Sequence, residues 1–287
     1  MKFQDFYRKN YKILMIIPLI ILVLSTFLVV NKFNNEGELI NRDFSLRGGL
    51  SLDVNTNVPF GDLENELENK FNIELSIREK TNFGNYQGFV LETGDVEIAD
   101  DLEELIKSRF GENFNLSKTS GSLGEGFYQD LIKALFIAFF LMAIVVFIAF
   151  RNIIPSLAVV LSAFLDIIAP MAIINALGIE LSIAGIAAFL LVIGYSVDTD
   201  ILMTSRVLRG KDNNVVERIF DSGKTGLTMT VTTFIALTVG YFVTGVDLFK
   251  EVFLVILIAL VIDVISTYLM NAGILMWYME RKNKGIE

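Results

Sequence analysis

Gly194-Tyr-Ser-Val-Asp-Thr-Asp-Ile-Leu-Met-Thr-Ser-Arg206 closes an apolar run that opens near Ser182. The run is long enough to enter a bilayer, and it carries two carboxylates, Asp198 and Asp200. A charge at bilayer depth costs about 2.5–3.5 kcal/mol on insertion scales, so an ionisable residue there is a functional-site hypothesis whose partner must be named. Arg206, two turns after Asp198 on a similar helical face, is the nearest basic candidate. The plain alternative places both aspartates near the cytosolic end of the run, wetted or paired with Arg206.

The composition agrees with a membrane setting. Of 287 residues 53% are hydrophobic, and the mean hydropathy is +0.55, as expected of an integral membrane protein. The net charge of −9 is unevenly spread: residues 31–130 hold 20 acidic against 9 basic residues, a net of −11, which leaves +2 for the rest. So acidic a segment is a poor match for nucleic acid. The chain has no cysteine and no histidine. That excludes disulfides, thiol catalysis and histidine-held metals, and it leaves carboxylates as the natural proton carriers.

Residues 1–12 are polar and basic, and Ile13 to Val30 form a first apolar run ending Val-Val-Asn-Lys without a small-residue cleavage site. This predicts a retained first membrane helix, cytosolic at its N-terminus and bent at Pro18. Residues 31–130 form a soluble domain. Strands are predicted over Leu50–Thr56, Ile73–Lys80, Tyr86–Thr93 and Phe114–Lys118, with a turn at Asn82, Gly84 and Asn85 and helices over Pro59–Phe71 and Asp95–Phe110. That order, β-α-β-β-α-β, is the split βαβ or ferredoxin-like arrangement. Gly121-Ser-Leu-Gly-Glu-Gly126 matches neither the dinucleotide nor the P-loop spacing and reads as a flexible joint. Five more apolar segments follow, at about 131–150, 155–177, 182–204, 226–243 and 251–277.

The fold class is therefore a mostly α membrane protein, six transmembrane helices with an external ferredoxin-like α+β domain between the first and second. Its parts are residues 1–30, 31–130 and 131–287. Thirteen of the 24 Lys and Arg fall on the N-terminus, Arg151, the 206–224 loop and the C-terminal tail. These alternate with Glu180 and Asp247, so the positive-inside rule sets both termini in the cytosol and 31–130 outside. Val215, Val216, Ile219 and Phe220 share one helical face, which predicts a short helix on the inner surface.

Further polar groups lie at membrane depth. Asp166 sits near the middle of the third span, four residues before Pro170, whose missing N–H leaves the Asp166 carbonyl unbonded. Asp263 lies midway along the sixth span, and the fifth opens with the hydroxyl-rich Thr225–Thr233. Ala184, Gly185 and Ala188 allow close packing of the fourth. With so few basic partners, some of Asp166, Asp198, Asp200 and Asp263 are expected to hold a proton at rest. The alternative for Asp166 and Asp263 is that they bridge helices as neutral hydrogen-bonding groups. No nucleophile–base pair or metal set is visible, so an enzyme, a metal and a cofactor are not expected.

Read as a whole, the chain resembles the SecF family, the smaller membrane subunits of the SecD–SecF protein-export complex within the resistance-nodulation-division superfamily. Asp43-Phe-Ser-Leu-Arg-Gly-Gly49, with Asp43, Gly48 and Gly49, resembles the element that follows that family's first helix. Gly121–Gly126 resembles the Gly-Pro-x-Leu-Gly joint without its proline, and Thr225–Val239 the Thr-rich fifth helix. Gly194–Asp200 with Arg206 resembles the fourth-helix signature. Val-Asp-Thr-Asp is closer to the Val-Asp-Ala-Asn of SecD than to the Asn-Asp-Thr of bacterial SecF, and the mixture has an archaeal character. The resemblance implies SecD, the Sec channel, an exported polypeptide and the lipid bilayer as partners, and a proton relay through Asp198, Asp200 and Arg206. Asp198 and Asp200 compete for the carrier's role. The rivals are a half-size pump for a small molecule or lipid, and a passive scaffold for SecD.

Overall fold

The computed structural model describes residues 3–284 except 59–60, 62, 64–66, 68–69, 72–74, 83–84, 96 and 211–213. Among the described residues six helical stretches are long and apolar enough to cross a membrane: Gln4–Glu36, Leu123–Phe150, Ile153–Ala176, Ile183–Arg209, Val215–Val243 and Asp247–Lys282. The first is two helices, α1 (Phe3–Leu14) and α2 (Ile16–Glu36). The break falls at Met15 and not at Pro18, which occupies the first turn of α2, where a missing N–H costs nothing. Tyr7 and Tyr11 of α1 are buried against the C-terminal helix, donating to the Tyr268 carbonyl (2.9 Å) and Glu280 Oε2 (2.7 Å).

After α2 comes a short α3 (Phe44–Arg47), then β1 (Gly49–Asn55), β2 (Leu75–Asn82), β3 (Asn85–Thr93), α4 (Ala99–Phe110) and β4 (Phe114–Thr119). The strand order is β2-β3-β1-β4, and all three pairings are antiparallel. The β1–β2 and β3–β4 connections each step over one strand, as the ferredoxin-like arrangement requires. Alternation explains the face: Leu50, Leu52 and Val54 of β1 and Phe89 and Leu91 of β3 are buried with Ala99, Leu102 and Ile106 of α4. Each fully buried leucine contributes about 1.5–3 kcal/mol. The helix expected over Pro59–Phe71 falls mostly outside the described residues, though Leu63 and Leu67 are helical and fully buried. The turn between β2 and β3 contains 83–84, also outside them.

The membrane bundle continues with α5 (Gly121–Phe150), α6 (Ile153–Ala176), α7 (Ile183–Arg209), α8 (Val215–Val243), α9 (Asp247–Ile265) and α10 (Ala272–Lys284). A π-helical turn, Ser266–Asn271, joins α9 to α10, and the Ala272 N–H bonds the Thr267 carbonyl five residues back. Two expectations are corrected. Val215–Phe220 is no separate surface helix but the first turns of the 29-residue α8. Gly121–Gly126 is no loose joint but the start of α5, with Ser120 accepting from the Leu123 N–H at 3.2 Å. The glycines let α3 and α5 touch. A Cβ on Gly48 would lie 2.9 Å from the Ser120 carbonyl carbon and closer still to Gly121, and one on Gly124 would lie 2.6 Å from the Leu46 oxygen.

A polar strap ties the segment before α3 to the bundle. Arg42 pairs with Glu38 and Glu125 and lies 4.6 Å from the centre of the Tyr128 ring. Asn175 accepts from the Asn41 N–H (3.1 Å) and donates to the Leu39 carbonyl (2.8 Å). The Asp43 N–H reaches the Leu181 carbonyl at 3.0 Å, and the Leu181 N–H reaches that of Asn41 at 2.8 Å. The sheet is thus fixed to the ends of α5, α6 and α7 nearest to it.

Candidate functional site

Helices α6, α7 and α9 pack against one another and bury their shared faces, whereas α2, α5 and α8 turn most of their surface outward. Three carboxylates meet inside that core: Asp166 from α6, Asp200 from α7 and Asp263 from α9, with side chains 0%, 0% and 1% exposed. So deep a set persists only if its oxygens find donors.

Hydroxyls and one amide supply them. Ser196 of α7 donates to Asp166 Oδ2, and Ser266 donates to Asp166 Oδ1 at 2.6 Å. Asp200 Oδ1 receives Thr267 Oγ1 at 2.9 Å and Asn271 Nδ2 at 2.7 Å. Thr267 also stands 3.3 Å from Asp263 Oδ1, one turn behind it in sequence. Asn271 continues to Thr204 at 3.5 Å, and Ser162 of α6 faces Asp200. Among the described residues no basic side chain bonds any of the three carboxylates. Asp200 Oδ2 and Asp263 Oδ2 have no hydrogen-bond partner there either.

The π-helical turn makes this possible. Ser266 and Thr267 follow Asp263 at ordinary helical spacing, and the extra residue of the turn changes the phase beyond them; all of Ser266, Thr267 and Asn271 are buried. Such bulges recur at functional sites. A cleft of about 130 Å³ between α7, α8 and α9 reaches the cluster, lined by Tyr195, Ser196, Thr233 and Asp263 among apolar residues.

The expected site residues separate. Asp200 joins Asp166 and Asp263. Asp198, 200° further back round α7, is exposed on the outer face of the bundle with Leu191 and Gly194. Arg206 pairs with neither aspartate. It is exposed and donates to Thr225 Oγ1 (3.1 Å) and the Asp221 carbonyl (3.4 Å) of α8. Asp43 caps α3, accepting from the Ser45 N–H at 3.0 Å and the Ser45 hydroxyl at 2.6 Å. Gly48 and Gly49 have φ of 80° and 144° beside close backbone neighbours, so their place is in the joint. Ser196, Ser266, Thr267 and Asn271 were not singled out from the sequence. Asp263, Thr267 and Asn271 at four-residue steps form a polar stripe on an apolar helix, and that spacing was the available signal.

Residues 101–281 match the family described as "Protein export membrane protein SecD/SecF, C-terminal". The chain is 37% identical to the protein-export membrane protein SecF of Methanocaldococcus jannaschii, covering 94% of this chain and 96% of that one. It is 34% identical to the SecF of Pyrococcus furiosus, covering 94% and 92%. This chain belongs to the SecF family. The relatives named are archaeal, in keeping with the character of the fourth-helix motif. The SecF fold also agrees with a crystal structure of SecDF from Thermus thermophilus, titled a translocon-associated membrane protein, at a TM-score of 0.75 and 20% identity. That match covers 98% of this chain and 40% of the longer one.

Proposed function

We propose that this SecF family member acts in protein export as a subunit that pairs with SecD beside the Sec channel, and that proton movement through Asp166, Asp200 and Asp263 drives it. The observation that carries the proposal is the buried, hydroxyl-lined set of three carboxylates, bonded by no basic side chain among the described residues. A set of that kind is costly in a bilayer, and proton relays are among its recognised uses. Moving one charge across the membrane potential is worth roughly 2.3 kcal/mol per 100 mV, enough over repeated cycles to bias a domain between two orientations. The Arg42–Asn175 strap gives such a bias a route to the sheet, since it joins the external ends of α5, α6 and α7 to β1.

The distribution of Lys and Arg supports cytosolic termini and an external position for residues 31–130. Asp198 supports the pairing. A carboxylate on the outer face of α7 is expensive against lipid, and a second six-helix bundle would cover it in a pseudo-symmetric pair. On this reading Asp198 and Arg206 belong to the partner-facing side and Asp200 to the relay. Purification of the tagged chain from native membranes in mild detergent tests the assignment. SecD and channel subunits should co-purify. Recovery with neither would favour a half-size pump and end the export reading.

A further inference from the structure

We propose that Asp263 is the carboxylate through which the buried cluster exchanges protons with its surroundings, and that Thr267 passes the proton on to Asp200. The proposal rests on the proton-driven reading and assigns roles within it.

Access singles out Asp263. Of the three carboxylates only Asp263 lines the cleft between α7, α8 and α9, a largely apolar opening of about 130 Å³. Its Oδ2 has no hydrogen-bond partner among the described residues. Tyr195, Ser196 and Thr233 also line the cleft, whose surface is otherwise apolar. Asp166 and Asp200 lie behind, each 0% exposed.

Counting donors assigns the proton. Asp166 faces two hydroxyls, Ser196 and Ser266. Asp200 Oδ1 faces the Asn271 NH2, which can only donate, and the Thr267 hydroxyl at 2.9 Å. Asp200 Oδ1 is therefore an acceptor, whereas the Asp166 oxygens meet hydroxyls that can donate or accept. Thr267 has one hydrogen, and the shorter contact commits it to Asp200. The 3.3 Å contact to Asp263 Oδ1 is then filled only if Asp263 carries the proton and donates it to Thr267 Oγ1. The result is a directed chain, Asp263 to Thr267 to Asp200.

Transfer along it balances. The Asp263 O–H bond breaks as its proton moves to Thr267 Oγ1, while the Thr267 O–H bond breaks and its proton joins Asp200 Oδ1. A negative charge leaves Asp200 and appears on Asp263, which takes its next proton from the cleft side. Thr267 is a positioning and relay residue and keeps its hydroxyl throughout. Thr267 follows Asp263 at ordinary helical spacing, and the π-helical turn closes on its carbonyl through the Ala272 N–H.

Two readouts on the full complex in vesicles test this. Infrared spectroscopy should show a protonated-carboxyl C=O band that disappears in Asp263→Asn and persists in Asp200→Asn. Persistence in Asp263→Asn would overturn the assignment. Gradient-driven export should be lost in Thr267→Val and retained in Thr267→Ser. Export undiminished in Thr267→Val but lost in Asp200→Asn would refute the bridge and leave the relay standing. Export undiminished in both aspartate variants would remove the proton-driven reading itself. Where Thr267→Val does not assemble, the infrared result decides.

Discussion

Replacing Gly48 by alanine should loosen the joint between the sheet and the membrane bundle, by an amount that follows from two separable costs. Gly48 has φ 80° and ψ 157°, a region nearly confined to glycine, and holding another residue there costs roughly 1–3 kcal/mol. Its Cβ would also strike the backbone of Ser120 and Gly121 at the start of α5, and overpacking of that kind costs about 1–3 kcal/mol more. Gly111 provides the control: φ is 88° and ψ −167°, but a Cβ there meets nothing within 4 Å. Gly111→Ala therefore incurs the strain alone. Hydrogen exchange of solubilised protein, read on peptides covering 44–55 and 114–126, reports the opening of this joint. The contact term predicts exchange roughly 5- to 150-fold faster in Gly48→Ala than in Gly111→Ala. Equal protection in the two variants would refute the interlock of α3 with α5.

A cysteine introduced at Asn85 should react with a membrane-impermeant thiol reagent in intact cells, and labelling only after lysis would reverse the topology. Arg42→Ala should destabilise the strap by about 1–2 kcal/mol through the loss of two charged hydrogen bonds and the Tyr128 contact, which hydrogen exchange at residues 38–43 would register. Expressed without a six-helix partner, the chain should self-associate or be degraded, because Asp198 then faces lipid. A stable monomer by light scattering in nanodiscs would argue against the pairing.

Much of this architecture was legible because periodicity changes sharply along the chain. The alternation at Leu50, Leu52 and Val54 gave the strand and its buried face, and the apolar runs gave the six spans. What periodicity does not carry is phase. Asp198 and Asp200 are equally prominent in sequence, and only the packing of α7 on α6 and α9 turns one inward and the other out. Arg206 was matched to Asp198 on helical spacing alone, whereas α8 passes close enough to take it through Thr225. Gly121 and Gly124 looked like slack and proved to be contact surface for α3, because a helix tolerates glycine where a second backbone comes near. The π-helical turn had no sequence mark of its own, so Thr267 and Asn271 stayed among the ordinary polar residues of an apolar helix.

The central claim is that buried carboxylates couple this chain's work to the proton gradient. Its most direct test is export by vesicles carrying the complete complex, compared with the gradient present and dissipated, in wild type and in an Asp200→Asn, Asp263→Asn double variant shown to retain SecD. Asparagine preserves size and hydrogen bonding and abolishes titration, so the account predicts that the gradient no longer stimulates export in the variant. Stimulation equal to wild type would contradict it.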